Sequence, residues 1–180
     1  MNGKKLIIAL LAFALTAPIY GQGLKLGPQL GYQKAPEAEE GSLMGGAALR
    51  AKLLPMLGAE VSINYRQEEY IDGILTVRSW PVMVTGMFYP LPIAYAAVGT
   101  GWYNTTFDFD EDIPGVEDET KQKVGWHFGI GAELPAGTQM TLTGDIKYVF
   151  LNYEWDEVPG GGEPDNANFY VINVGLLFDI

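Results

Sequence analysis

The chain has 180 residues, with 22 acidic against 11 basic side chains and no cysteine. That length suits one domain rather than two sizeable ones, and the missing cysteine excludes both a disulfide framework and a lipidated-cysteine anchor. The acidic balance excludes nucleic-acid binding, because phosphate contact needs a basic face.

The first element is Met1 to Gly21. Lys4 and Lys5 precede an apolar run from Leu6 to Leu15, about half the ~20 residues that a spanning helix needs. The segment reads as a cleavable export signal over residues 1–21. Removing it leaves one domain, residues 22–180, with 22 acids against 9 bases.

Tight breaks at Leu54 to Met56, Pro90 to Pro92 and Pro135 to Thr138 then alternate with long ones at Lys34 to Ser42, Gln67 to Gly73, Asp108 to Lys121 and Glu154 to Asn166. The long breaks hold 18 of the 22 acids and two bases, a net charge of −16, while the rest of the mature chain holds 4 acids and 7 bases. Short turns at one end and long loops at the other are the asymmetry of an up-and-down barrel in an outer membrane. The breaks delimit eight runs, at 24–33, 43–53, 57–66, 75–89, 93–106, 123–134, 138–153 and 168–180. Most reach the ~9–11 residues of a tilted membrane strand.

Period-two alternation is clearest in 123–134, where Val124, Trp126, Phe128, Ile130, Ala132 and Leu134 oppose Lys123, Gly125, His127, Gly129, Gly131 and Glu133. Run 57–66 splits the same way, and runs 75–89 and 93–103 alternate poorly. A soluble barrel with an apolar interior would show the same period, so two further features set the direction. Glycine crowds the polar face, as at Gly27, Gly31, Gly125, Gly129, Gly131 and Gly175, which fits a narrow eight-stranded interior filled by side chains. On the apolar face Tyr32, Tyr65, Trp80, Trp102, Trp126, Phe150 and Tyr170 gather toward the long-loop end, as an interfacial girdle would. The predicted fold is all-β, an eight-stranded antiparallel up-and-down transmembrane β-barrel.

Trp80-Pro-Val-Met-Val-Thr-Gly-Met-Phe-Tyr-Pro90, Tyr95-Ala-Ala-Val-Gly-Thr-Gly-Trp-Tyr103 and Tyr170-Val-Ile-Asn-Val-Gly-Leu-Leu-Phe178 carry a resemblance: the chain resembles the small eight-stranded outer-membrane barrels of the OmpA-barrel, OmpX and OmpW type. The family usually ends on an aromatic residue; here Phe178 stands two places before Ile180. The resemblance implies an outer-membrane location, with loops extracellular and termini periplasmic. Its OmpW-like branch implies a narrow path for small or hydrophobic molecules as the alternative to a closed lumen.

Turned inward, the polar face brings Lys25, Arg50, Lys52, Arg66, His127 and Lys147 toward Glu60, Glu133 and Asp145. Charges in a dry interior must pair or meet water, so a polar plug is expected, with an ion path as its rival. His127 is the single histidine. Outer-membrane lipid A deacylases resemble this size and fold and place a serine two residues after the histidine, where this chain has Gly129; Ser62 and Thr143 are the nucleophiles left to approach across the barrel. No catalytic residue is assigned.

Asp108, Asp110, Asp112 and Glu119 match positions 1, 3, 5 and 12 of a calcium loop, yet Ile113 stands where its sharp turn needs glycine. Weak binding of calcium or magnesium is the most this segment implies, and no other cofactor is indicated. Gly160-Gly-Gly162 is followed by Glu163 and Pro164, so it is no phosphate cradle. The expectation is a monomeric, non-enzymatic barrel among outer-membrane lipids, with a sealed polar lumen. Its acidic loops would face divalent cations or an extracellular protein partner.

Overall fold

A computed structural model describes residues 23–36, 40–70, 75–109, 119–151 and 168–180. Among these residues nine strands run in order: β1 Leu24–Lys34, β2 Ser42–Leu54, β3 Leu57–Tyr70, β4 Leu75–Ser79, β5 Val82–Leu91, β6 Ala94–Phe109, β7 Glu119–Pro135, β8 Met140–Leu151 and β9 Phe169–Asp179. Neighbours in sequence pair antiparallel, except that β4 and β5 each pair with β3 and β6, and β1 pairs with β9 from Lys25↔Asp179 to Lys34↔Tyr170 with a gap at Gly27 and Pro28, which closes the sheet on itself. Closure removes both sheet edges, so every stave finds its backbone partners within the barrel.

β4 and β5 form one stave in two pieces, where a single run was expected over 75–89. Pro81 has no N–H to give to a ladder, and the stave breaks at Trp80-Pro81. The gap is bridged locally: Trp80 N–H donates to Asn104 O and Asn64 N–H to Pro81 O, both at 3.0 Å, and the Asn104 side-chain amide donates to Trp80 O at 3.2 Å. Eight staves therefore carry nine strands.

Strand pairing also runs further toward the long loops than the polar composition implies. β6 and β7 stay in register out to Phe107↔Glu119, and β3 and β4 out to Tyr70↔Leu75. Backbone hydrogen bonds do not require an apolar face. The Thr106 and Thr120 hydroxyls, 2.8 Å apart, and Gln122, donating to Asn104 Oδ1 at 2.6 Å, add side-chain links to the extended β6–β7 ladder.

The barrel is apolar outside and ionic inside. Leu30, Val98, Trp126 and Ile130 are 63–71% exposed, whereas Lys147, His127, Glu60 and Arg50 are 1–4% exposed. Such an apolar belt in water would be an aggregation surface. In lipid it is the side that needs no polar partner.

Candidate functional site in the barrel lumen

The lumen is layered along the barrel axis. Near the short turns lie Lys25, Lys52, Tyr89, Tyr95 and Glu133; above them come Arg50, Glu60, Asp145 and Lys147; nearest the long loops sits an apolar cluster of Met44, Met83, Tyr103, Val149, Leu151, Phe169 and Val171. Tyr103 and Phe169 meet edge to face within that cluster, with centroids 5.6 Å apart.

Arg50 anchors the ionic layer because the register sets it directly opposite Glu60. Its guanidinium grips the Glu60 carboxylate through Nε, at 2.9 Å, and Nη2, reaches Glu133 at 2.8 Å through Nη1, and donates to the Tyr95 hydroxyl at 3.2 Å. Lys147 carries the network on, 3.2 Å from Glu60 and 3.3 Å from Asp145. Asp145 accepts from Tyr95 at 3.1 Å and from Asn173 at 2.9 Å, and Glu133 accepts from Tyr89. Two cations thus serve three carboxylates in one connected web, as charges at this depth require.

Glycines make the web sterically feasible by a repeated device. In three rows across adjacent strands a glycine occupies the middle place and the residues on either side join hands over it. Tyr95 and Asp145 meet across Gly131; Thr85 and His127 meet across Gly99 at 2.9 Å; Gln29 and Asn64 meet across Gly46 at 2.8 Å. A Cβ at Gly131 would strike the Tyr95 ring, and one at Gly99 the His127 imidazole.

The residues expected inside do not all join this web. Lys25 donates instead to Thr141 Oγ1 at 2.7 Å, and the Lys52 ammonium lies 4.4 Å from the centre of the Tyr89 ring. Arg66 stands outside the ionic layer, toward the long loops, between Ser42 at 3.2 Å and Glu68 at 3.5 Å. His127 meets Thr85, not Ser62 or Thr143, and among the described residues its Nδ1 has no hydrogen-bond partner. Buried polar atoms of that kind are ordinarily met by ordered water.

Tyr89 and Tyr95 are the functional residues that pattern reading missed. Their strands have weakly polar residues on both faces, Met83, Met87, Tyr95 and Tyr103 inward against Val84, Phe88, Ala96 and Val98 outward, so hydropathy cannot tell in from out there. The interior is ionic toward the short turns and carries an apolar cluster toward the long loops, where Asn64, Ser79, Asn104 and Thr105 are also buried.

All seven girdle aromatics lie on the outer face, Trp102 half-buried and the others exposed. Tyr148 adds to them, packing on Phe150 and Tyr170 at 4.8 Å each. Asp110 and Asp112 lie outside the described residues, while Asp108 and Glu119 fall at the ends of β6 and β7, their side chains likewise outside the description. On the outer wall an apolar depression of about 680 Å³ lies over Ala94, Ala132 and Gly144. The ladders beneath it are unbroken.

An antiparallel sheet closed on itself, apolar without and ionically bridged within, defines an integral membrane β-barrel of the outer-membrane class. The chain belongs to the family described as outer membrane protein beta-barrel domain, whose sequence profile matches residues 6–178. Solved structures of similar fold include Neisserial surface protein A, 10% identical over 88% of this chain and 98% of that one, TM-score 0.58. Another is the N-terminal β-barrel domain of Pseudomonas aeruginosa OprF, 12% identical over 88% and 100%, TM-score 0.54. A third is the attachment invasion locus protein Ail of Yersinia pestis, 11% identical over 88% and 97%, TM-score 0.53. At such identities the likeness is one of fold. Comparison with curated proteins finds no match.

Proposed function

We propose that this outer-membrane barrel is non-enzymatic and sealed, and that it contributes to envelope structure or to binding at the cell surface through its acidic loops. The observation that carries the reading is a pair of layers in the lumen, an ionic web from Glu133 through Arg50, Glu60 and Lys147 to Asp145 beneath the apolar cluster around Tyr103 and Phe169. Hydrated ions must lose their shells to pass an apolar layer and must compete with fixed pairs below it. His127 supports the same reading, since no carboxylate among the described residues orients its Nδ1 as a catalytic base would need. The test is conductance in planar bilayers: the protein is expected to give no steady open-channel current, and such a current would overturn the seal.

The remaining parts of this reading are a signal over residues 1–21, termini in the periplasm and long loops outside. Their support is the charge asymmetry, −16 in the long breaks, together with the aromatics on the outer face toward that end. Protein extracted from outer membranes should have a mass that lacks the signal, and protease added to intact cells should cut only in the long loops. Cleavage in a short turn would reverse the orientation. A second reading, a narrow lateral path for small or hydrophobic molecules, draws on the depression over Ala94, Ala132 and Gly144; the unbroken ladders weigh against it.

A further inference from the structure

We propose that the short-turn mouth of the barrel binds a single-chain anionic amphiphile, its head group between Lys25 and Lys52 and its chain on an apolar shelf made by two turns. Two cavities meet at this mouth. One, about 280 Å³, is lined by Lys25, Arg50, Lys52, Tyr89, Glu133 and Asp179. The other, about 380 Å³, is lined by Pro55, Met56, Pro90, Leu91 and Pro92 and shares Lys52 and Tyr89 with the first. Their combined size falls in the ~300–1,000 Å³ range of small-molecule sites.

The charges in the first cavity are not equally engaged. Arg50 and Glu133 hold each other, and Arg50 also holds Glu60. Lys25 has a hydroxyl for a partner and Lys52 an aromatic face, and among the described residues neither has a carboxylate oxygen within the 4.0 Å of an ion pair. Asp179, the remaining acid, stands opposite Lys25 in the register with its residue exposed at the rim. An anionic head group would give both ammonium groups a charge-assisted partner.

Above this chamber stand the ionic web and the apolar cluster, and its lining is shaped to hold a ligand. The turn shelf fixes the ligand's other half. Met56 and Leu91 are 49% and 59% exposed beside the lysine-lined cavity, so a molecule with both an anionic head and an apolar tail covers both. The modest volume favours one chain over the two of a bilayer phospholipid. The site does not depend on which side of the membrane the mouth faces.

The test uses the folded protein in phosphatidylcholine nanodiscs, titrated calorimetrically with octyl phosphate and separately with inorganic phosphate, with empty nanodiscs subtracted. Octyl phosphate should bind at least about tenfold more tightly than inorganic phosphate, and K25Q/K52Q should lose about tenfold or more of that affinity. M56S/L91S should bring octyl phosphate down toward inorganic phosphate. Unchanged affinity in K25Q/K52Q, or equal affinity for the two probes, would overturn the proposal. Should K25Q/K52Q fail to fold by heat-modifiable gel mobility, K52Q alone carries the test, since its ammonium contacts only a ring face among the described groups. In nanodiscs doped with phosphatidylglycerol, native mass spectrometry that finds the diacyl lipid retained by the wild type and lost from the lysine variant would assign the site to a bilayer lipid and overturn the single-chain ligand.

Discussion

Replacing Arg50 with methionine removes four hydrogen bonds at once, two to Glu60 and one each to Glu133 and Tyr95. Hydrogen bonds to charged groups contribute ~1.5–3 kcal/mol apiece, so a naive sum over the three carboxylate contacts, ~4.5–9 kcal/mol, lies mostly above the ~3–5 kcal/mol that breaking a buried pair costs. The smaller figure is the better expectation, because the burial penalty of the guanidinium disappears with it and Glu60 keeps Lys147 at 3.2 Å. Glu133 is left worse off, with the Tyr89 hydroxyl as its remaining bond among the described groups. R50M should therefore lose ~3–5 kcal/mol, and adding E133Q to it should restore part of that loss by removing the stranded charge. Urea titration of folding into phosphatidylcholine vesicles measures both. K25M is the internal control, expected to lose at most ~1 kcal/mol because Lys25 bonds a neutral hydroxyl. If R50M unfolds at the same urea concentration as K25M, the ionic web is not what holds the lower lumen together.

Two further substitutions test direction and packing. I130R places a charge on the outer face, where Ile130 is 65% exposed, and should cost ~2–4 kcal/mol in a bilayer; a loss below ~0.5 kcal/mol, ordinary for a water-exposed site, would refute the lipid-facing assignment. G131A puts a Cβ into the Tyr95 ring, whereas at Gly144 on the outer face the nearest atom to a new Cβ is 3.8 Å away. G131A should lose ~1–3 kcal/mol and G144A should be neutral in the same urea titration, and equal effects would remove the role assigned to the inner glycines.

Much of the barrel is legible without coordinates. Alternation in 123–134 places Trp126 outside and His127 inside, as observed, because a strand's period of two sends neighbours to opposite faces. The tight breaks at Pro55, Pro90 and Pro135 were readable because proline and glycine punctuate strands for steric reasons. The reading fails where both faces share one hydropathy, so Tyr89 and Tyr95 went unseen. It also fails where backbone pairing outlasts the apolar pattern, as at Thr106 and Thr120.

Composition and periodicity alone determined the eight staves, the separation of an ionic face from an apolar one, and the asymmetry between turns and loops, since each is a property of residues near one another in the chain. Tertiary structure decided which charges meet. Arg50 and Glu133 are 83 positions apart, and Tyr95 reaches Asp145 only because the register sets Gly131 between them. Register and closure are properties of the whole sheet, so the web of ion pairs, the apolar layer above it and the lysine-lined mouth below exist only once the barrel has closed.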